Sequence, residues 1–435
     1  MRNLLIAASA ALFAAMPAQA NELVRVYEQA LTNDTQLRSA EHALAAAREA
    51  RPQARGALLP TLGAQATVGQ SVQQNTFNPG GPQPEEDTET NSYGISLNLS
   101  VYDHANWMRL SQSRDRLQAA EATYRSAHQN LALRVTQAYF EVLAAKDTLR
   151  FATAENAAVE RQLEQARKRF EVGLSAITDV HEAQARYDLT VSQKLDAEQQ
   201  LRNAQDALIE ITGGSAERLV SLQEEFPLSG ATPDDVNQWI EAALNNNLDL
   251  VAARINTNIA KKDIGINRAG HYPTLDLAGT YGKRESGGFV SESESQDVTL
   301  TLTVPIYSGG VTQSRVRQAS STHQQRLAEL EGTRRSVERQ VRNAFQGVQT
   351  GVARVKALKQ AVISNTTALD ASETGLRVGA RTAVDVLNAQ RELFRAQRDY
   401  SRARYDYLIS ILSLKQAAGQ LTARDLAEID QLLVK

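Results

Sequence analysis

Residues able to do acid–base, nucleophilic or metal chemistry occur along this whole chain, but their spacing sets up none of it. The six histidines, at 42, 104, 128, 181, 271 and 323, are scattered, with no i, i+4 pair to grip a metal from one helix face. No glycine loop cradles a phosphate and no serine-elbow motif is present. Asp and Glu are abundant, but they sit in long helix-forming stretches, where they read as solvated faces. The spacings that do carry meaning surround two short turns, 173–178 and 379–384. Gly173 and Gly379 suit the left-handed position that ends a helix, and Thr382 with Asp385 has capping-box spacing. On spacing alone Asp385 stabilises a helix start. No enzyme activity, cofactor or metal is expected from these spacings.

The elements that hold those turns are written twice. Leu131, Val135, Ala138, Val142, Ala145 and Leu149 step by four, three, four, three, four, and Val337, Val341, Ala344, Val348, Gly351 and Val355 repeat the steps 206 residues later. Leu59-Pro60-Thr61-Leu62 recurs as Tyr272-Pro273-Thr274-Leu275, and Val172-Gly173 as Val378-Gly379. Residues 1–20 read as a secretory leader, with basic Arg2, an apolar core and Ala18-Gln19-Ala20 as the cleavage site. Two repeats follow, 21–212 and 237–420, joined by a linker at 213–236 and closed by a tail at 421–435. There is no cysteine, which fits an oxidising compartment without disulfides. With 47 basic against 50 acidic residues and no dominant basic patch, nucleic acid is an unsuitable partner.

Each repeat predicts a short helix, two strands and two long helices. Residues 104–172 contain neither glycine nor proline, so strong helix formers run for about 100 Å at 1.5 Å per residue. Residues 311–374 match them, and after the turns come helices at 180–211 and 386–417. The narrow heptad-like seams bury one stripe of each helix, as in a solvated coiled-coil rod. Four segments break that period. Residues 61–76, 92–102, 274–283 and 297–307 alternate apolar and polar, which gives a strand one dry and one wet face. Their length, with Tyr93, Tyr102, Tyr272, Tyr281, Tyr307 and nearby Trp107 near the ends, fits transmembrane strands flanked by an aromatic girdle. The segments between the paired strands, rich in Glu and Asp, are expected to be solvated loops. Four strands are too few to close a barrel in lipid, whose minimum is about eight, so the chain must oligomerise.

Many short stretches in order carry a resemblance. They include Val26-Tyr27, Leu58-Leu59-Pro60, Ala138-Tyr139-Phe140, Phe170-Glu171-Val172-Gly173-Leu174 with Ala176-Ile177-Thr178-Asp179-Val180, Pro305-Ile306-Tyr307, Val384-Asp385-Val386-Leu387 and Ala403-Arg404-Tyr405. Over essentially all of the chain after the leader it resembles the TolC family, the outer-membrane channel-tunnels of Gram-negative bacteria. The resemblance implies an α+β membrane protein that works as a homotrimer. Four transmembrane strands per subunit would share a 12-stranded barrel in outer-membrane lipid, and the long helices would form a periplasmic tunnel. It also implies a periplasmic adaptor and an inner-membrane transporter, of ABC or proton-driven type, as partners in type I protein secretion or multidrug efflux. A periplasmic coiled-coil adaptor or scaffold is the competing reading, but it has no use for four alternating strands.

The resemblance further places the periplasmic entrance at the two turns, where Gly173 and Gly379 mark the tips that partners touch. Asp179 and Arg381 match linking residues that hold the entrance shut, with Thr178 beside them, and Asp385 matches an acidic ring that constricts it. Asn388 stands where the family has a second acidic ring and Leu376 where it has a linking tyrosine. The constriction is therefore expected to be less negative and less tightly locked.

Overall fold

The computed structural model describes residues 22–73, 86–214, 219–287 and 292–433. The expected leader, the last residues of the first strand and most of the first polar loop lie outside the described residues. Two helices open the chain, α1 (Glu22–Asn33) and α2 (Thr35–Gly56), where one was expected. Asp34 divides them: its carboxylate accepts the Leu37 backbone N–H at 2.7 Å, capping α2, and holds Arg134 at 3.0 Å. Strands β1 (Thr61–Gln73) and β2 (Glu86–Tyr102) and helices α3 (His104–Glu171) and α4 (Ile177–Thr212) follow. The order then recurs with α5 (Val236–Asn246), α6 (Leu248–Arg268), β3 (Thr274–Ser286), β4 (Glu292–Thr303), α7 (Val311–Arg377) and α8 (Ala383–Ala417).

Boundaries differ from expectation for identifiable reasons: β2 starts at Glu86 rather than 92, because Glu86–Thr90 of the expected first loop pair with Gly69–Gln73 of β1. β4 ends at Thr303 rather than 307, ahead of Pro305, which lacks the N–H a ladder needs. The polar segment 285–296 is mostly strand rather than loop, because Glu285 and Glu292 are themselves paired across β3 and β4. The expected tail contains α9 (Ala423–Asp430), opened by a Thr422–Asp425 capping box. Asp430 is buried and accepts the Leu23 N–H of α1 at 2.7 Å.

The compact units do not follow the repeats. Met1–Glu41, Tyr124–Leu248 and Arg334–Lys435 form one, and His42–Thr123 with Asp249–Thr333 the other. Both draw on both repeats, because α3 and α7 each contribute residues to the two units.

The first unit is helical and carries the main apolar core. Leu131, Val135, Val142, Val337, Val341, Val348 and Val355 of the predicted seams are buried, whereas Ala138 and Ala344 are half-buried. The segment 213–236 is no free linker: Leu219, Leu222 and Ala231 are buried in this core. The Tyr139 hydroxyl donates to the Val220 carbonyl at 2.9 Å, and Tyr407 donates to the Ser229 carbonyl at 2.7 Å while accepting the Ser229 N–H at 3.0 Å. Tyr407→Phe is expected to cost about 1–2 kcal/mol by leaving that peptide unpaired, read as a lower unfolding midpoint.

The second unit holds one antiparallel sheet in the order β1-β2-β3-β4. Its register aligns the alternating residues across strands. Leu62 faces Leu97, Ala64 faces Ile95, Ile95 faces Tyr281, Leu99 faces Leu277, Leu277 faces Leu300 and Leu275 faces Leu302. The other parity pairs Gly63 with Ser96, Thr67 with Ser92, Ser96 with Thr280 and Asp276 with Thr301. One face is thus apolar across all four strands, and it is open to the surroundings: Leu302 is 64% exposed and Val298 82%. Among the described residues no helix is long and apolar enough to cross a membrane.

Candidate functional site

The two turns are built alike at their helix exits. Gly173 and Gly379 adopt φ of 74° and 77°, which a side chain would strain. At the first, the N–H of Gly173 bonds the Phe170 carbonyl at 2.9 Å and that of Leu174 bonds Arg169 at 2.7 Å. At the second, Gly379 bonds Leu376 at 3.3 Å and Ala380 bonds Gly375 at 2.8 Å. Both are paired closures of the last helical turn around a left-handed glycine.

The helix entries differ, and the difference falls on the candidate residues. Asp179 and Asp385 are repeat equivalents and each is the third residue of its helix. At α8 the Thr382 hydroxyl accepts the Asp385 N–H at 3.2 Å and donates to Asp385 Oδ2 at 2.9 Å, and the Thr382 N–H reaches the same oxygen at 2.9 Å. At α4 the capping position is Ala176, which has no side chain able to complete a box. The Asp385 carboxylate is therefore held in place, while that of Asp179 lacks a capping partner. Hydrogen bonds from the Thr382 backbone and hydroxyl, aided by Arg381, hold the Asp385 carboxyl below its ordinary range. Because the folded value is the lower one, this group's contribution to stability is full above the ordinary carboxylate range and is lost as pH falls through the folded value.

Arg381 lies 4.0 Å from Asp385 Oδ1 and crosses α7 at Gly375, where a β-carbon would come within 2.6 Å of its Cγ. Arg381 pairs with Asp385 of its own chain, and no ion pair joins it to Asp179 among the described residues. Thr178 and Asn388 are exposed, as are Gly173 and Gly379. Phe170, Val172, Leu174 and Val378 leave apolar surface at the tips, Leu174 at 69% exposure.

Three of the expected girdle residues sit on the apolar sheet face. Tyr93 lies opposite Ala66 and Tyr281 opposite Ile95. By alternation Tyr102 belongs to the polar face, but a register shift after Ser100 sets Tyr102 opposite Leu275. That bulge turns its ring to the apolar side. Trp107 lies in the first turn of α3, exposed, and Tyr307 lies beyond the end of β4, also exposed. From Leu275 to Tyr281 the apolar face runs about 20 Å at roughly 3.3 Å per residue. Beyond Tyr281 the same face carries Lys283, which is ion-paired with Glu292.

One buried cluster, between α3, α4 and α8, has no counterpart among the sequence expectations. Glu155 of α3 is 1% exposed and accepts from Arg186 of α4 at 3.2 Å and Arg398 of α8 at 3.1 Å. Below it Val159, Leu163 and Ala166 pack with Ala183 and Leu387. Spacing does not mark it: the three-four steps after Leu149 run through Ala152, Asn156, Val159, Leu163 and Ala166, so Glu155 lies one residue off the seam.

A family model described as "Outer membrane efflux protein" matches residues 26–214 and 239–420. Outer membrane protein TolC of Vibrio cholerae serotype O1 is 39% identical over 417 residues, covering 94% of this chain and 93% of that protein. Outer membrane protein TolC of Escherichia coli K12 is 34% identical over 433 residues, covering 96% of this chain and 86% of that protein. Among solved structures, the Campylobacter jejuni CmeC outer membrane channel shares the fold, with a TM-score of 0.79 at 17% identity over 95% of this chain and 90% of that one.

Proposed function

The chain belongs to the outer membrane efflux protein family and is an outer-membrane channel protein, and from that premise we propose that three copies close one 12-stranded barrel and together form a helical periplasmic duct. The observation that carries this reading is the four-stranded sheet. It has one continuous apolar face, and among the described residues β1 and β4 each have one strand neighbour. Open edges are not tolerated in lipid, so the sheet needs further copies. Three copies supply 12 strands, above the minimum of about eight for a membrane barrel. The duct is passive and has no chemistry of its own. A periplasmic adaptor and an inner-membrane transporter supply recognition and energy for secretion or efflux. A periplasmic scaffold would leave the apolar face without purpose. Detergent-extracted protein is expected to have the mass of a trimer and to fractionate with outer membranes. A stable, water-soluble monomer with native helicity rules the reading out.

At the two turns, the pinned Asp385 carboxylates of three subunits form one ring that favours cations at the entrance. Asn388 adds no second ring. Asp179, free of a capping partner, reaches Arg381 of a neighbouring subunit and helps hold the entrance shut. Asp385→Asn is expected to lower cation selectivity and relieve block by multivalent cations in single-channel recordings. The Arg381→Ser/Asp179→Asn double variant is expected to raise the open fraction. Unchanged selectivity reduces Asp385 to a helix cap, and unchanged opening in the double variant removes the link.

A further inference from the structure

A cavity of about 490 Å³ lies in the helical unit between α3, α7, α8 and the segment 221–225. Arg404 of α8 lines it and is 8% exposed. Its Nη2 donates to the Gln223 carbonyl, but Nε is buried without a hydrogen-bond partner. The guanidinium lies 5.5 Å from the Tyr400 ring centre and 5.7 Å from that of Phe226. No carboxylate pairs with Arg404 among the described residues. A buried cation without a counter-charge is costly, so this one is poised for an anion.

The other charges of the lining show which anion fits. Asp147 is ion-paired with Arg150 at 3.1 Å and also accepts from Ser401 and Tyr405. Lys359 is ion-paired with Glu225 at 2.5 Å. Arg404 thus remains as one unmatched positive charge, while Glu224 stands exposed at the rim. A dianion such as a phosphate ester would meet the charge of Asp147, Glu224 and Glu225 together, whereas a monoanion meets one guanidinium. Phe151, Val362, Ile363 and Tyr400 supply apolar wall, and Ile363 is 52% exposed. The volume lies within the roughly 300–1,000 Å³ of small-molecule sites. We propose that this cavity binds an aryl or short alkyl monocarboxylate, with its carboxylate on Arg404 and its body against Tyr400, Phe151 and Ile363.

Titration calorimetry of the detergent-solubilised protein with 3-phenylpropionate, and with its neutral amide, tests the assignment. The acid is expected to bind at least about tenfold more tightly than the amide, since an ionised acceptor on a buried guanidinium forms the stronger hydrogen bonds. Arg404→Gln is expected to lose that discrimination, and Arg404→Lys to keep only part of it because it lacks the planar fork. Glu224→Gln is expected to tighten the acid and leave the amide unchanged. It keeps the test valid should the Arg404 variants melt early. Equal binding of acid and amide, retention of the acid's advantage in Arg404→Gln, or no saturable binding of the acid at millimolar concentration overturns the proposal. A lower melting temperature for Glu224→Gln, with no gain in binding, reassigns that carboxylate as the partner of Arg404.

Discussion

Arginine at Leu302 or at Leu97 is expected to remove most of the assembled channel from the outer membrane. Leu302 lies opposite Leu275, and Leu97 lies between Leu62 and Gly279, all on the apolar face. A lipid-facing arginine near the bilayer midplane costs about 2–4 kcal/mol, so three symmetric copies cost roughly 6–12 kcal/mol per trimer. Thr301→Arg is the control, because Thr301 faces Asp276 on the opposite, polar side. Heat-resistant trimer in outer-membrane fractions is the readout. If Leu302→Arg and Thr301→Arg assemble equally well, the face assignment is wrong.

Glu155→Ala is expected to loosen the ends of the long helices by about 3 kcal/mol. Removing one partner of a buried ionic cluster leaves charge without compensation, typically at about 3–5 kcal/mol. The lower figure applies because the Arg186 and Arg398 side chains retain 16% and 27% exposure and can recover some water. Arg398→Ala is expected to cost less, since Glu155 keeps Arg186. Limited proteolysis within 173–178 and 379–384 should accelerate in Glu155→Ala before global unfolding does, because the cluster ties together α3, α4 and α8, the helices that lead to those turns. Cleavage rates equal to those of the unaltered chain would show that Leu163, Ala183 and Leu387 hold the tips without it.

The long helices were legible because proline is missing from all four and glycine from α3, α4 and α8, and the seams because only a three-four spacing keeps one stripe inward. The strand faces were legible from period two, but strand ends were not. Past the apolar band the residues turn polar while the ladder continues, so Glu285 and Glu292 pair as strand although they read as loop. At β4 the opposite held: Val304 and Ile306 kept the alternation, and Pro305 denied the backbone bond. The break at Asp34 and the start of α9 at Thr422 carry only local capping signals, a carboxylate three residues before Leu37 and a Thr–Asp pair at box spacing. Glu155 was masked by treating every charge on a long helix as solvated.

By itself the sequence determined the duplicated helix–strand–helix plan, the two faces of each strand and the glycine turns, because each depends on residue types at short, regular spacing. Only the tertiary structure decided which charges are bound and which are free. Glu155 is shared by two arginines from other helices, and among the described residues Arg404 is left without a carboxylate. It also decided that Tyr102 shares the face of Leu275, through a bulge that no alternation rule records. The physical reason is distance along the chain. Periodicity reports what lies within a few residues, but a buried charge is paired or orphaned by side chains that lie far away in sequence and are brought near only by packing.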